Sequence, residues 1–270
     1  LHVDADTLDG SGQLLSLGDM DLHSTNAFNN SGSTIANGTL TLATQSDITN
    51  SGKLLAGQAL NVQSANLTNE NNGEINAGRN TLNTTGTLIN HGLIGGGYTR
   101  IKANTLTNIG SGRIYGDAIS VNAATFNNLE ENGSAATLGG RERVDLGIAT
   151  LNNEGHGLIY SAGDMAIGGA LDENGTATGQ AAAINNHSST IESAGNMVIN
   201  AGEINNINDH FSTEIVTVSQ DPLTEYQHSG STNRWKAGSE DVFVDGNSSD
   251  GLRNLSTPEL PGGGHDDFNQ

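Results

Sequence analysis

The sequence has no cysteine, three prolines, ten aromatic residues and ten lysines and arginines among its 270 residues. Each scarcity excludes something. Without Cys there is no disulfide framework, no thiolate nucleophile and no thiolate metal site. Ten cations against thirty carboxylates give a formal charge of −20. Phosphate binding needs clustered Lys and Arg, so nucleic acid is excluded as a partner, and direct docking on anionic lipid is disfavoured. No apolar run approaches membrane-spanning length, and no stretch reads as a secretory leader.

What the chain does have is repetition. Segments opening at Phe28, Ile48, Leu67, Leu88, Leu106, Phe126, Leu151, Ile184 and Ile204 each begin with an apolar residue and carry Asn two places on. These are Asn30, Asn50, Asn69, Asn90, Asn108, Asn128, Asn153, Asn186 and Asn206. A partial copy opens at Leu8, with Gly10 in the Asn position, and the successive offsets from it are 20, 20, 19, 21, 18, 20, 25, 33 and 20 residues. A period in this range marks a solenoid, in which each repeat buries its apolar face only by stacking on its neighbours.

Within one repeat, Phe28 to Asp47, an isolated apolar residue (Ile35) is followed by Gly38 and then by Leu40 and Leu42 alternating with Thr. Period-two alternation marks a short strand with one face buried, and the abundance of Gly, Asn and Thr opposes helix. The doublet recurs at Met20/Leu22, Leu60/Val62, Thr99/Ile101, Ile119/Val121, Val144/Leu146, Met165/Ile167 and Met197/Ile199, and Asn80 takes the first place beside Leu82. Leu15, Leu55, Ile75, Ile94, Ile114, Ile159 and Ile191 repeat the isolated site. The expected fold is all-β: a right-handed parallel β-helix over 1–207, of about ten coils and about 20 residues per coil, followed by a short non-repeat segment, 208–270. The Asn residues are expected to form one hydrogen-bonded file and to supply left-handed corners. Gly18, Gly38, Gly57, Gly78, Gly97, Gly116, Gly163 and Gly195 are expected at the other corners. The opening Leu1-His2-Val3-Asp4-Ala5-Asp6-Thr7-Leu8 matches the end of a coil, so the chain is expected to be cut from a longer solenoid.

Two coils are long. One insert centres on Glu130, Glu131, Asn132 and Gly133; the other runs from Leu171 to Gln180. Solenoid insertions map to surface loops, which can bind ligands or can simply be tolerated. A polysaccharide-cleaving β-helix would need two carboxylates at a set separation in a groove. Glu130, Glu131, Asp172 and Glu173, with Arg141 and Arg143, are the candidates for that alternative, but the coils offer few aromatic platforms. His91, His187 and His210 have no third ligand at metal spacing and read as solvent-exposed. There is no phosphate loop and no nucleophile-elbow motif. The chain is read as non-catalytic, without cofactor, metal or small-molecule substrate, and as a monomer.

The repeat, apolar-x-Asn-x-x-Gly-x-Ile-x-Ala-x-Gly-x-Leu-x-Leu, resembles the haemagglutinin repeats of filamentous haemagglutinin-type exoproteins, the large partners of two-partner secretion. Two stretches bring the likeness closest to the contact-dependent growth inhibition effectors. One is Ala177-Thr178-Gly179-Gln180 leading into Ile184-Asn185-Asn186-His187-Ser188; the other is the tail with Phe211, Glu214, Glu225-Tyr226, Arg234-Trp235 and Asn254-Leu255-Ser256-Thr257-Pro258. The resemblance implies a filament on a Gram-negative cell surface, exported through an outer-membrane transporter, a passage that a Cys-free chain suits. It further implies that a receptor-binding region begins in 208–270 and meets an outer-membrane protein of a neighbouring bacterium. Tyr226, Arg234 and Trp235 would then be contact anchors, or else the small core of that module. A host-cell or glycan adhesin stalk is the alternative within the same family.

Overall fold

The structure, a computed structural model, describes residues 1–216, 218 and 232. It also describes, as backbone, the strands Glu225–His228, Trp235–Lys236, Phe243–Val244, Pro258–Glu259 and Phe268–Asn269. Two compact units are present, Leu1–Phe211 and Ser212–Gln270. In the second, the described strands pair antiparallel, with Tyr226 opposite Trp235 and His228 opposite Phe268. The first is a parallel β-solenoid of about ten turns with no helix among its residues.

Each turn contributes three strands, and each strand pairs in parallel with its counterpart one turn later. The amide side ends on the repeated Asn, as in Asp47–Asn50 and Thr87–Asn90. The second side follows, as in Ser33–Ala36. The doublet side completes the turn, as in Thr39–Thr44. Register is kept like over like: Phe28 sits over Ile48, Ile48 over Leu67, Leu67 over Leu88, and Leu88 over Leu106. The doublet column runs Met20, Leu40, Leu60, Asn80, Thr99, Ile119, Val144, Met165 and Met197. Buried and outward residues alternate on this side from the second to the sixth turn, so Leu40, Leu42, Leu60, Val62 and Leu82 are fully enclosed while Thr41, Asn61 and Thr81 face out; in later turns the intervening Ser120 and Asp145 are buried as well. At about 4.8 Å per turn, ten turns stack to roughly 50 Å.

Three expectations are corrected. The inward residue of the second side is not Leu15, Ile35 or Leu55. Leu15 is 62% exposed, and Ile35 and Leu55 lie half-buried on the outer face. Their neighbours Leu14, Thr34 and Leu54 occupy the column that continues through Ile75, Ile94, Ile114, Leu138, Ile159 and Ile191. A one-residue slip in a strand turns every side chain to the opposite face. The phase is set by the turn: the residue two places after Gly12, Gly32, Gly52, Gly73, Gly92, Gly112 and Gly157 takes the inward column, and Ala136 and Ser189 stand in the glycine's place before Leu138 and Ile191.

The second and third corrections concern backbone conformation. None of the nine repeated Asn has a positive φ; the described non-glycine residues that do are Asn132, His156 and Ser188. Nor does any of the expected corner glycines. Close approach fixes their identity instead, except at Gly18, where a Cβ would meet nothing within 4 Å. A Cβ on Gly57 would strike the carbonyl oxygen of Asn37, and one on Gly163 that of Glu142 in the preceding turn. From Gly38 onward these glycines let successive turns touch.

Candidate functional surfaces

The repeated Asn form one continuous file. Asn30 donates its Nδ2 to Asn50 Oδ1 at 2.7 Å, and Asn50 to Asn69, Asn69 to Asn90 and Asn90 to Asn108 follow at 2.8 Å each. Asn108 to Asn128 is 2.9 Å, Asn128 to Asn153 2.8 Å, Asn153 to Asn186 2.9 Å and Asn186 to Asn206 2.8 Å. From Asn50 to Asn153 the side chains are fully buried. The second amide proton goes to backbone: Asn69 reaches Gly73 O and Leu93 O at 3.2 Å, and Asn153 reaches Thr190 O at 3.0 Å. Each amide thus ties its own turn to the next and satisfies the carbonyls of the corner that follows, which would be costly to leave unpaired inside.

A second row, absent from the expectations, runs on the outer face. Asn152 donates to Asn127 at 2.8 Å, Asn185 to Asn152 at 2.9 Å and Asn205 to Asn185 at 3.0 Å. It donates toward the N-terminus, whereas the buried file donates toward the C-terminus. The signal was present as the Asn-Asn pairs 127–128, 152–153, 185–186 and 205–206.

Both inserts are hairpins. Glu130–Glu131 pairs antiparallel with Ser134–Ala135 around Asn132 (φ 53°) and Gly133 (φ 77°), the left-handed pair that a two-residue type I′ turn requires. Its two carboxylates diverge along the stack. Glu131 faces His91 at 3.5 Å upstream, and Glu130 faces His156 at 3.2 Å downstream. The second hairpin pairs Ala170–Leu171 with Ala177–Thr178 and folds back over the doublet side. Ser120 donates to Gly175 O at 3.0 Å, and Ala177 N–H donates to Asp145 at 2.9 Å. Asp145, buried beneath it, accepts from Arg143 Nη2 at 2.9 Å, and this hydrogen bond holds the Arg143 guanidinium pKa above its ordinary value.

The candidate catalytic residues do not converge. Glu130 and Glu131 are engaged with different histidines, Asp172 accepts the Thr176 N–H at 2.8 Å within its own turn, and Glu173 is exposed. Arg141 pairs with Asp117 and Arg143 with Asp145. His91 and His187 are half-buried rather than fully exposed, and His187 faces Asp209 at 3.5 Å. His210 does not join His187 but stacks on His156, with ring centroids 6.1 Å apart. Among the described residues no group of three His, Asp or Glu could hold a metal ion. Arg234 and the side chains of Tyr226 and Trp235 lie outside the described residues.

Two depressions, of about 640 and 560 Å³, adjoin along the corner that follows the doublet side and share His23, Ser24 and Gln45. Hydroxyl and amide side chains line most of the pair; Asp4 and Asp6 sit in the first, where Asp4 bonds His2 at 2.9 Å.

The haemagglutinin repeat family model matches residues 1–52, 37–128 and 137–219, which is most of the chain and nearly all of the solenoid. No curated protein and no solved structure matches. With periodicity, stacking and family model in agreement, the chain belongs to the haemagglutinin-repeat family of filamentous haemagglutinin-type proteins.

Proposed function

We propose that the chain is a non-catalytic stalk segment of a contact-dependent growth inhibition exoprotein at a Gram-negative cell surface. In this reading the solenoid is a spacer, and residues 208–270 begin the region that meets an outer-membrane protein on a neighbouring bacterium. Export would run through the outer-membrane transporter of a two-partner secretion system. The observation that carries the stalk reading is the unbroken amide file from Asn30 to Asn206. Each link spans two turns, so bending between Asn30 and Asn153 breaks buried hydrogen bonds that have no water to replace them. The dispersal of Glu130, Glu131, Asp172 and Glu173 supports the absence of chemistry.

The test is capture of solubilised outer-membrane proteins from candidate target bacteria by the full chain, in parallel with a Tyr226→Ala/Trp235→Ala variant and a chain ending at Ile207. A single outer-membrane protein retained by the full chain and lost in the other two supports the reading. Equal capture by all three refutes a receptor role for 208–270, and retention of host-cell glycans instead favours the adhesin stalk.

A further inference from the structure

The seven lysines and arginines of residues 1–211 all fall between Lys53 and Arg143. Four are engaged. Lys53 faces Glu74 at 3.7 Å, Arg113 donates to the carbonyls of Gly110, Gly112 and Ala135, and Arg141 and Arg143 hold Asp117 and Asp145. The other three, Arg79, Arg100 and Lys102, make no ion pair among the described residues; Arg79 lies over the Tyr98 ring at 4.9 Å. All three stand on the outer face of the doublet side in two successive turns, where Arg79 is opposite Tyr98, Thr81 opposite Arg100 and Asn83 opposite Lys102.

The same face changes sign along the stack. In the first two turns it carries Asp4 and Asp21, in strands that pair His2 with Asp21 and Asp4 with His23. Asp4 is met by His2 and His23, at 2.9 and 3.4 Å, while the Asp21 carboxylate has no side-chain partner among the described residues. The third and fourth turns are small and neutral, with Thr39 opposite Ala59, Thr41 opposite Asn61 and Ala43 opposite Gln63. The fifth and sixth are the basic pair. Beyond them the hairpin over Ser120 and Asp145 covers the face. The first six turns of the doublet side therefore read acid, acid, neutral, neutral, base, base.

That order is self-complementary. A two-fold axis perpendicular to the stack, between the third and fourth turns, places the first turn of one copy on the sixth of another and the second on the fifth. Asp4 then falls on Lys102 beside Arg100, Asp21 falls on Thr81 with Arg79 two residues along the same strand, and every contact occurs twice, as an isologous interface demands. We propose that this face is the interface of an antiparallel homodimer, with a second copy of the chain as its occupant. Six turns at about 4.8 Å by five residues at about 3.4 Å give roughly 500 Å² per copy. That lies at the lower edge of specific interfaces, so the dimer is weak and its strength is electrostatic. The proposal does not depend on the receptor reading above.

The test is sedimentation of the full chain at about 100 µM in low salt, where the Debye length is longest, and again at about 0.5 M NaCl. The expected result is a monomer–dimer equilibrium in low salt, weakened at least tenfold in high salt. Arg79→Glu/Arg100→Glu/Lys102→Glu alone is expected to be monomeric, and so is Asp4→Lys/Asp21→Lys alone. Mixed in equal amounts, these two are expected to recover dimer, because every reversed contact is again opposite in sign. These substitutions all lie on the outer face, and unchanged circular dichroism confirms that each variant is folded. A wild-type monomer under all conditions overturns the proposal. So does dimer that persists in either variant, or a mixture that stays monomeric. Retention of a monomeric wild type on a sulfated polysaccharide, lost in the triple Glu variant, would reassign the basic patch to an anionic glycan.

Discussion

The regular coils and the interrupted coils differ in length but not in contact. Between Asn30 and Asn128 successive Asn are 18–21 residues apart; the next two intervals are 25 and 33. The amide bonds across those long intervals are 2.8 and 2.9 Å, within the 2.7–2.9 Å range of the regular coils. Leu151 stacks on Ile184 as Leu67 does on Leu88. Register is thus held by side-chain columns and not by coil length. The extra residues leave the stack as hairpins whose antiparallel pairs satisfy their own backbone.

If the columns carry the fold, substitutions in them should have the same effect in both kinds of coil. Leu54→Ala and Ile159→Ala should each lose about 2–5 kcal/mol of unfolding free energy in guanidinium titration, since each leaves a cavity in an enclosed column. Leu55→Ala, one residue away on the outer face, should lose no more than about 0.5 kcal/mol. A larger loss at Leu55 than at Leu54 would reverse the phase assigned here.

Asn90→Ala and Asn153→Ala come next, at about 2–4 kcal/mol each, because each deletes two file bonds and strands a buried acceptor on one neighbour and a donor on the other. Asn206→Ala, at the exposed end of the file, should lose less than about 1 kcal/mol. Asn153→Ala falling to the level of Asn206→Ala would show that interrupted coils are held differently.

The most local effect is expected at the second hairpin. Asp145→Ala removes the acceptor of the Ala177 N–H and should speed hydrogen exchange over residues 176–178 at a loss of roughly 1–2 kcal/mol, leaving exchange at Asn69 and Asn90 unchanged. Loss of protection throughout the stack would make the hairpin a structural clamp rather than a tolerated loop.

Much of this fold was legible because a solenoid writes one decision many times. All nine members of the Asn file follow from spacing alone, as does the doublet column, including its polar members Asn80 and Thr99. What failed was local. Leu14-Leu15 and Leu54-Leu55 are adjacent apolar pairs, and in Thr34-Ile35 the more apolar residue is the outward one, so hydrophobicity by itself chose the wrong partner. The Gly two places earlier would have chosen correctly. The left-handed corners were misassigned because Asn and Gly suit both positive φ and close approach, and sequence does not separate the two. The charge order of the doublet side was illegible, since it appears only when residues 20 or so apart are brought to one face.

The central claim is a single file of side-chain amides running through parallel turns in register. Its most direct measurement is by NMR on protein labelled at Asn, as scalar coupling across the hydrogen bonds from Asn50 Nδ2 to Asn69 Cγ and from Asn69 Nδ2 to Asn90 Cγ. The account predicts both couplings, together with side-chain NH₂ protons that exchange slowly. Fast-exchanging amides with no coupling between these residues would contradict it.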